Sequence, residues 1–466
     1  MMNAVFREWE FFKMKDFLTY KELKEDFHRY FNILRNEREH FAREYGSYNL
    51  PRPDFVIVYL EDYTENKEQG YDLLLDFFTP FDYLSFHDTF SNEIIKDEHK
   101  WDEFYSNAPK STFFRIDGYK MEDEPEKGAH YYLDLSRLKE SNPNMELGRQ
   151  EEFPLLCVMT LPQRNQEGHP NNTTLLYQTR PLMYPQWLFS SLNHTIGLEE
   201  IPDNEKVELM VWDVDQGNFN EVSIGDEPGK PYVIFDAGTE VLNDTVPFCS
   251  LLQKLNGEID KFEIPLVVLS HWHTDHYSLL FAESDSNLKR IKQCIFPSYV
   301  KNLSVFLFLV RLDLLGVKVL MKTLPYKKFW TKLQLSKNVT LYANKYVHSC
   351  VNNSGLTLFV QGPNNNAMLP GDCRYRLVES QANDAITETM KDGQKHFLVI
   401  PHHCGEAGTV SYIVPNAKVK EGIVSVGRTR RHGHPNKEIK EKVEIFVKPI
   451  VMTKDLKGED RISRWL

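Results

Sequence analysis

The rhythm of apolar positions changes at about residue 200. Upstream, Leu23, Phe27, Tyr30, Phe31 and Leu34 recur at helical spacing in a polar stretch from Tyr20 to Tyr45, which predicts a helix. Apolar runs at Phe55–Leu60, Leu155–Thr160 and Thr173–Gln178 predict strands, and proline and asparagine clusters punctuate the rest. Downstream, short β-branched runs follow one another at Val207–Val214, Tyr232–Asp236, Pro265–Ser270, Leu356–Gln361, His396–Pro401 and Gly422–Val426. Helical stretches lie between some of them, at Tyr277–Glu283 and Lys437–Val447. Strands alternating with helices predict a layered α/β unit over residues 201–466. A separate α+β accessory unit is expected over residues 1–200, with the boundary near Ile201-Pro202-Asp203-Asn204.

Composition narrows the class without choosing a function. The chain has 466 residues, 41% hydrophobic and 26% charged, which excludes a disordered or coiled-coil architecture. Its six cysteines include no CxxC pair, so neither a disulfide framework nor a cysteine-rich zinc site is indicated, and a reducing cytoplasm is the expected setting. No signal-peptide pattern is present at Met1–Phe17, and the apolar run Leu303–Leu320 is broken by Arg311 and Asp313. A soluble chain with no membrane partner is expected.

The chemistry concentrates where one apolar run ends. Leu266-Val267-Val268-Leu269 reads as a buried strand, and Ser270-His271-Trp272-His273-Thr274-Asp275-His276 follows it. If the chain stays extended there, His271 and His273 project to one side, while Asp275 and His276 fall at the start of a helix. Imidazole nitrogens and carboxylate oxygens suit zinc, manganese or iron. Two pairs of ligands can hold two metals a few ångströms apart.

This HxHxDH segment resembles the signature of the metallo-β-lactamase superfamily, whose fold is an αββα sandwich with metals at one edge. Six further elements in family order resemble the hydrolase domain of ComEC-type competence proteins. They are Trp212-Asp213-Val214-Asp215-Gln216-Gly217-Asn218, Val233–Gly238 ending in Asp236-Ala237-Gly238, Asn353–Leu358, Leu369-Pro370-Gly371-Asp372, Val399–Gly405 with Pro401-His402-His403-Cys404-Gly405, and Ile423-Val424-Ser425-Val426-Gly427 followed by Gly433-His434-Pro435. Together they cover about residues 205–450, and residues 1–200 take no part.

The resemblance implies a set of roles. His271 and His273 are expected to bind one metal, Asp275 and His276 the other, and Asp372 to bridge both. One of His402 and His403 completes the second site while its neighbour contacts or orients substrate; Asp275 and His403 also fall among the catalytic candidates. His348 is a further candidate ligand. Asp236 is expected to orient a ligand histidine, with Asp213 and Asn218 in related supporting roles or simply capping a strand–loop corner. His434 is a candidate general acid or phosphate contact. Two divalent ions are implied, zinc first and manganese as the alternative. Such a pair lowers the pKa of a shared water, which supports hydrolysis of phosphodiesters, lactones or thioesters alike.

Charge distribution bears on the substrate. The net −12 argues against nucleic acid, yet residues 1–200 alone carry −14. Residues 287–340 hold eleven cations, including Lys289 and Arg290, against the single acid Asp313, with aromatics interleaved. Arg430 and Arg431 directly precede the Gly433-His434-Pro435 element. Cations for phosphates and aromatics for bases suit single-stranded DNA or RNA. The leading expectation is a two-metal nuclease or phosphodiesterase, with these four cations on phosphates. The alternatives are a small-molecule hydrolase and a regulatory protein that meets a partner through residues 1–200. The lysines could instead form a solvated face or dock against the acidic unit, which would then restrain activity until a partner displaces it; by analogy, a sensor in a multi-component defence system is a further expectation for residues 1–200.

Overall fold

The computed structural model describes residues 55–66, 70–79, 82–83, 85–86, 112–119, 124–141, 176–178, 195–215, 217–226, 230–240, 257, 262–322, 330–344, 351–375, 377, 395–406, 419–427, 433–456 and 459–466. The helix expected over Tyr20–Tyr45 and the strand over Leu155–Thr160 lie outside them.

The first sheet is built from β1 (Phe55–Asn66), β2 (Gly70–Phe77), β3 (Phe114–Tyr119), β4 (His130–Asp134) and β5 (Leu176–Gln178), with α1 (Leu135–Ser141) following β4. It is antiparallel throughout, in the order β3-β2-β1-β4-β5.

Two seven-stranded sheets follow. The second sheet comprises β6 (Val207–Trp212), β7 (Phe219–Ile224), β8 (Lys230–Ala237), β9 (Leu266–Val268), β10 (Gln293–Pro297), β11 (Lys318–Lys322) and the C-terminal β19 (Arg461–Trp465). The third comprises β12 (Trp330–Gln334), β13 (Val339–Asn344), β14 (Leu356–Gln361), β15 (Asn365–Leu369), β16 (Lys395–Val399), β17 (Val419–Val424) and β18 (Ile450–Met452). Each sheet is antiparallel in one half and parallel in the other, in the orders β11-β10-β9-β8-β7-β6-β19 and β12 through β18.

Side-chain alternation along the third sheet shows how the layers stack. Leu341, Leu358, Val360, Leu369, Phe397, Val399 and Ile423 join the core shared with the second sheet. Their neighbours Tyr342, Phe359, Met368, Leu398, Ile400 and Val424 pack instead with Ile439 and Val443 of α5 (Lys437–Glu444). A strand that buries both faces needs apolar residues at successive positions, which is why these runs read as unbroken rather than alternating.

The parallel half of the second sheet is wound through helices. α2 (Thr274–Ala282) and the short α3 (Asp285–Leu288) connect β9 to β10, and α4 (Leu303–Leu314) connects β10 to β11. Both crossovers advance in one direction across the sheet, so their helices share one face. Phe281 of α2 stacks on Phe308 of α4 with ring centroids 4.2 Å apart. The apolar run Leu303–Leu320 therefore divides into α4, a turn at Gly316 with φ 75°, and β11. No helix among the described residues is long and apolar enough to cross a membrane.

The first sheet seats on this helix layer through a buried polar network. Asp76 accepts the Ser304 amide at 3.0 Å, and the Ser304 hydroxyl accepts the Thr112 amide at 2.8 Å. Glu61 accepts the Tyr277 phenol at 3.1 Å and is also bonded by Asn302, while His130 lies 2.8 Å from the Lys301 carbonyl. The two units thus meet through hydroxyls, amides and a shared apolar core. Among the described residues these contacts use hydroxyls and amides rather than lysine and arginine side chains.

Candidate metal centre

Parallel strands of an α/β sheet present ligands at their carboxyl ends. The end of β9 meets the ends of β8 and β15 here. β9 stops at Val268, and Ser270, His271, Trp272 and His273 form the loop into α2. Trp272 turns inward, donating its indole N–H to the Pro297 carbonyl at 3.0 Å, so His271 and His273 turn the other way, with rings 4.6 Å apart.

Two groups of ligand atoms assemble, each within a 4.8 Å span: His271, His273 and Asp372; and Asp275, His276, Asp372 and His403. Asp372 belongs to both. Its Oδ2 is 3.8 Å from His271 Nε2, and its Oδ1 is 3.2 Å from His276 Nε2. The left-handed Gly371, φ 58°, turns the chain here; a Cβ on it would lie 2.5 Å from that of Ser270.

Hydrogen bonds fix the imidazole orientations. Asp236, at the end of β8, accepts the Ser270 amide at 2.6 Å, the Ser270 hydroxyl at 2.8 Å and His276 Nδ1–H at 2.9 Å. His403 donates Nδ1–H to the Ser425 carbonyl at 2.8 Å. His271 Nδ1 rests 3.0 Å from the Ser270 oxygen. With these Nδ1 protons committed, the Nε2 lone pairs of His276 and His403 face carboxylate oxygens at 3.2 Å. Acceptors that close repel unless a cation or a proton lies between them. Buried atoms of the cluster also lack any hydrogen bond: His271 Nε2, Asp275 Oδ1 and Asp372 Oδ1. This donor set fits divalent metal and has no other satisfaction among the described residues.

Titration divides the ligand set: both carboxyls, His271 and His273 take the metal-binding charge state, whereas carboxylates draw His276 and His403 toward protonation. Burial would raise the Asp372 and Asp275 carboxyls, but His276, with the other nearby cations, outweighs it and holds both well below the usual range. Burial, with the positive field of neighbouring histidines, keeps His271 and His273 well below theirs. His276 moves the other way, since Asp372 and Asp236 overcome its burial. Ionised carboxylates and neutral imidazoles are the states that bind metal.

His402 lies beside this core, its Nε2 3.9 Å from Asp372 Oδ2 and 3.2 Å from Asn352 Nδ2. Of the two adjacent histidines, His403 has its ring nitrogen in the second group. Both, with Cys404, have left-handed backbone at φ 53°, 49° and 61°. His434 stands outside both groups, its ring 5.0 Å from that of His402 and 6.0 Å from that of His403. Asn218 places Nδ2 3.3 Å from His276 Nδ1 and donates its backbone N–H to the Asp275 carbonyl at 3.0 Å. Asp213 accepts the Asp215 amide at 3.3 Å, capping the corner after β6.

Other expected residues are not brought here. Lys289 and Arg290 precede β10, which runs parallel to β9, and the Arg290 carbonyl accepts the amide of Ile264 ahead of β9. They therefore sit at the opposite end of the sheet from the metal ligands, because a parallel strand separates its beginning from its end by about 3.3 Å per residue. His348, Arg430 and Arg431 lie outside the described residues. Sequence reasoning missed the roles of Ser270, Asn352 and the Ser425 carbonyl, although the first two adjoin motifs and Ser425 lies within Ile423–Gly427.

No protein-family model and no curated protein matches the chain. Among solved structures it is similar to the metallo-beta-lactamase fold protein YhfI from Bacillus subtilis, at 13% identity and TM-score 0.32, over 55% of this chain and 99% of that one. It is also similar to the hydrolase AbOPH of the beta lactamase superfamily, at 9% identity and TM-score 0.22, over 44% and 90%.

Proposed function

We propose that this protein is a metal-dependent hydrolase of the metallo-β-lactamase type and, within that class, a phosphodiesterase acting on single-stranded nucleic acid. One observation carries the reading: two buried ligand groups share Asp372, and three of their ligand atoms have no hydrogen bond. His271, His273 and Asp372 would hold one ion; Asp275, His276, His403 and Asp372 the other. When bound, such a pair lowers the pKa of water and polarises a phosphoryl oxygen. Asp236 and the Ser425 carbonyl keep the ligand imidazoles in the metal-binding tautomer. His402 and His434 face the outer side of the cluster, where in this reading His402 contacts the substrate and His434 gives a proton to the leaving oxygen.

Zinc- or manganese-loaded protein is expected to cleave single-stranded DNA or RNA, and Asp372→Ala to bind fewer ions and cleave neither. Cleavage surviving that substitution would overturn the assignment. The remoteness of Lys289 and Arg290 from the cluster favours a second reading, hydrolysis of a nucleotide or other small phosphoester. Activity on such a compound, without salt-sensitive retention of nucleic acid, would select it.

A further inference from the structure

We propose that Asn352 is a positioning residue that holds His402 out of the ligand set, so that the ion on His271, His273 and Asp372 keeps a place open to substrate. The inference rests on the hydrolase reading above and names a residue that governs its site.

His402 lies close enough to be a ligand. Its Nε2 is 3.9 Å from Asp372 Oδ2, and His271 Nε2 is 3.8 Å from that same oxygen. Yet His402 joins neither group of ligand atoms. Its side chain is 24% exposed against 1% for His271, so its ring stands where the cluster opens outward. The fate of Nε2 separates the two imidazoles. His271 Nε2 is buried without a hydrogen bond, whereas His402 Nε2 is 3.2 Å from Asn352 Nδ2. An amide nitrogen only donates, so the lone pair with which His402 would bind metal is already engaged.

Asn352 can hold the ring because both backbones are fixed. It sits in the short helical turn Val351–Asn353, between β13 and β14. Asn353 Oδ1 accepts the Arg374 amide at 3.2 Å, and the Leu356 amide donates to the Ser270 carbonyl at 2.8 Å. The turn is thus tied to the segments that carry Asp372 and His271. His402 donates its own N–H to the Gly371 carbonyl at 3.3 Å, and its carbonyl accepts the Gly405 amide at 2.6 Å. The direction of the ring is therefore left to its side-chain torsions, among which the Asn352 bond selects.

The neighbouring histidine is arranged the other way. His403 gives its Nδ1–H to the Ser425 carbonyl at 2.8 Å, which leaves Nε2 for metal. Asp275, His276, His403 and Asp372 offer one ion four protein donors, while His271, His273 and Asp372 offer the other three. Four protein donors close a site, and three leave the place that chemistry requires. A histidine added to the first ion would fill it.

The test uses the full chain and compares wild type, Asn352→Leu and Asn352→Ser, each also with His402→Gln. Leucine cannot donate, and serine is too short to reach Nε2. Zinc affinity is read by competition with a chromophoric chelator, donor number by the absorption of the cobalt(II) form, and turnover on an aryl phosphodiester. A competing neutral hydrogen bond weakens metal binding by about 2- to 10-fold. Both single variants should therefore hold one ion tighter by that factor, change the cobalt spectrum and turn over more slowly, and adding His402→Gln should cancel the gain. Wild-type or weaker affinity in a folded single variant would overturn the proposal, as would a gain that survives His402→Gln. Unchanged turnover despite the gain would overturn it too. A wild type that hydrolyses no ester, beside variants that gain affinity through His402, would uphold the role of Asn352 and count against the hydrolase reading.

Discussion

Replacing Asp236 by Asn tests whether the cluster is a metal site, because one proton decides the outcome. Asp236 is fully buried and receives three donors: Ser270 N–H, Ser270 Oγ–H and His276 Nδ1–H. An alanine would orphan all three at about 1–3 kcal/mol each, a sum comparable with the whole stability of a domain, so a folding defect would mask the effect. It would also place a Cβ-only residue at φ 61°, which asparagine tolerates better. In Asp236→Asn the amide oxygen must stay on the Ser270 amide at the 2.6 Å position, which directs the amide nitrogen at His276 Nδ1. That nitrogen is then an acceptor, and the imidazole proton moves to Nε2, the atom facing Asp372 at 3.2 Å. A protonated Nε2 cannot bind metal. Disrupting such a carboxylate–histidine pair costs about 10–100-fold in metal affinity, or about 1.4–2.7 kcal/mol. Competition against a chromophoric chelator near neutral pH should show one ion weakened by that factor and the other, on His271 and His273, much less affected. Histidine nitrogen shifts should report the exchanged tautomer. Two ions bound with wild-type affinity by a folded Asn variant would refute the argument.

Two further outcomes follow from packing. Gly238 donates its N–H to the Asn218 carbonyl, and a Cβ there would lie 2.5 Å from the Asp275 carbonyl carbon. Gly238→Ala should therefore cost about 1–3 kcal/mol or more and loosen the start of α2, seen as a lower Tm together with weaker metal binding; a variant with unchanged Tm and metal affinity would contradict the close approach. His130 is buried between Tyr59 and Phe78 with Nε2 on the Lys301 carbonyl, and burial pushes its pKa down to about 3. A base depressed in the folded state contributes stability above its unfolded pKa of about 6.5, and that contribution is lost as pH falls toward about 3, at about 1.4 kcal/mol per unit. Urea unfolding at successive pH values should show His130→Gln losing less stability than wild type between those limits, and parallel profiles would rule the explanation out.

What could be read in the sequence was chemistry encoded over short distances. The ligands from His271 to His276 were visible because a strand ends there and a helix begins, so spacing alone orients the side chains. Asp236 was visible because it closes an apolar strand two residues before Gly238, whereas Asp372 was visible only through the resemblance of Leu369-Pro370-Gly371-Asp372 to a family element. The pair His402-His403 could not be resolved by alternation, since three consecutive left-handed residues replace the extended geometry on which alternation depends. Strands such as Phe219–Ile224 and Asn365–Leu369 escaped notice because Asn220, Glu221, Asn365 and Asn366 break their apolar runs.

Lys289 and Arg290 lie away from the cluster for a related reason. Sequence proximity to the metal motif put Lys289 and Arg290 near the site, but the direction of β10 carries them to the far end of the sheet. Other cations of the basic segment are engaged locally: Arg311 with Asp285, Lys292 with Glu263, and Lys337 with Asp203. Exposed pairs of that kind contribute little stability, yet they reduce the charge available to a ligand. A segment's summed charge sets its long-range field, whereas a buried site responds to charges a few ångströms away, where the effective dielectric is low. Which end of which strand a cation occupies therefore matters more to the site than how many cations its segment holds.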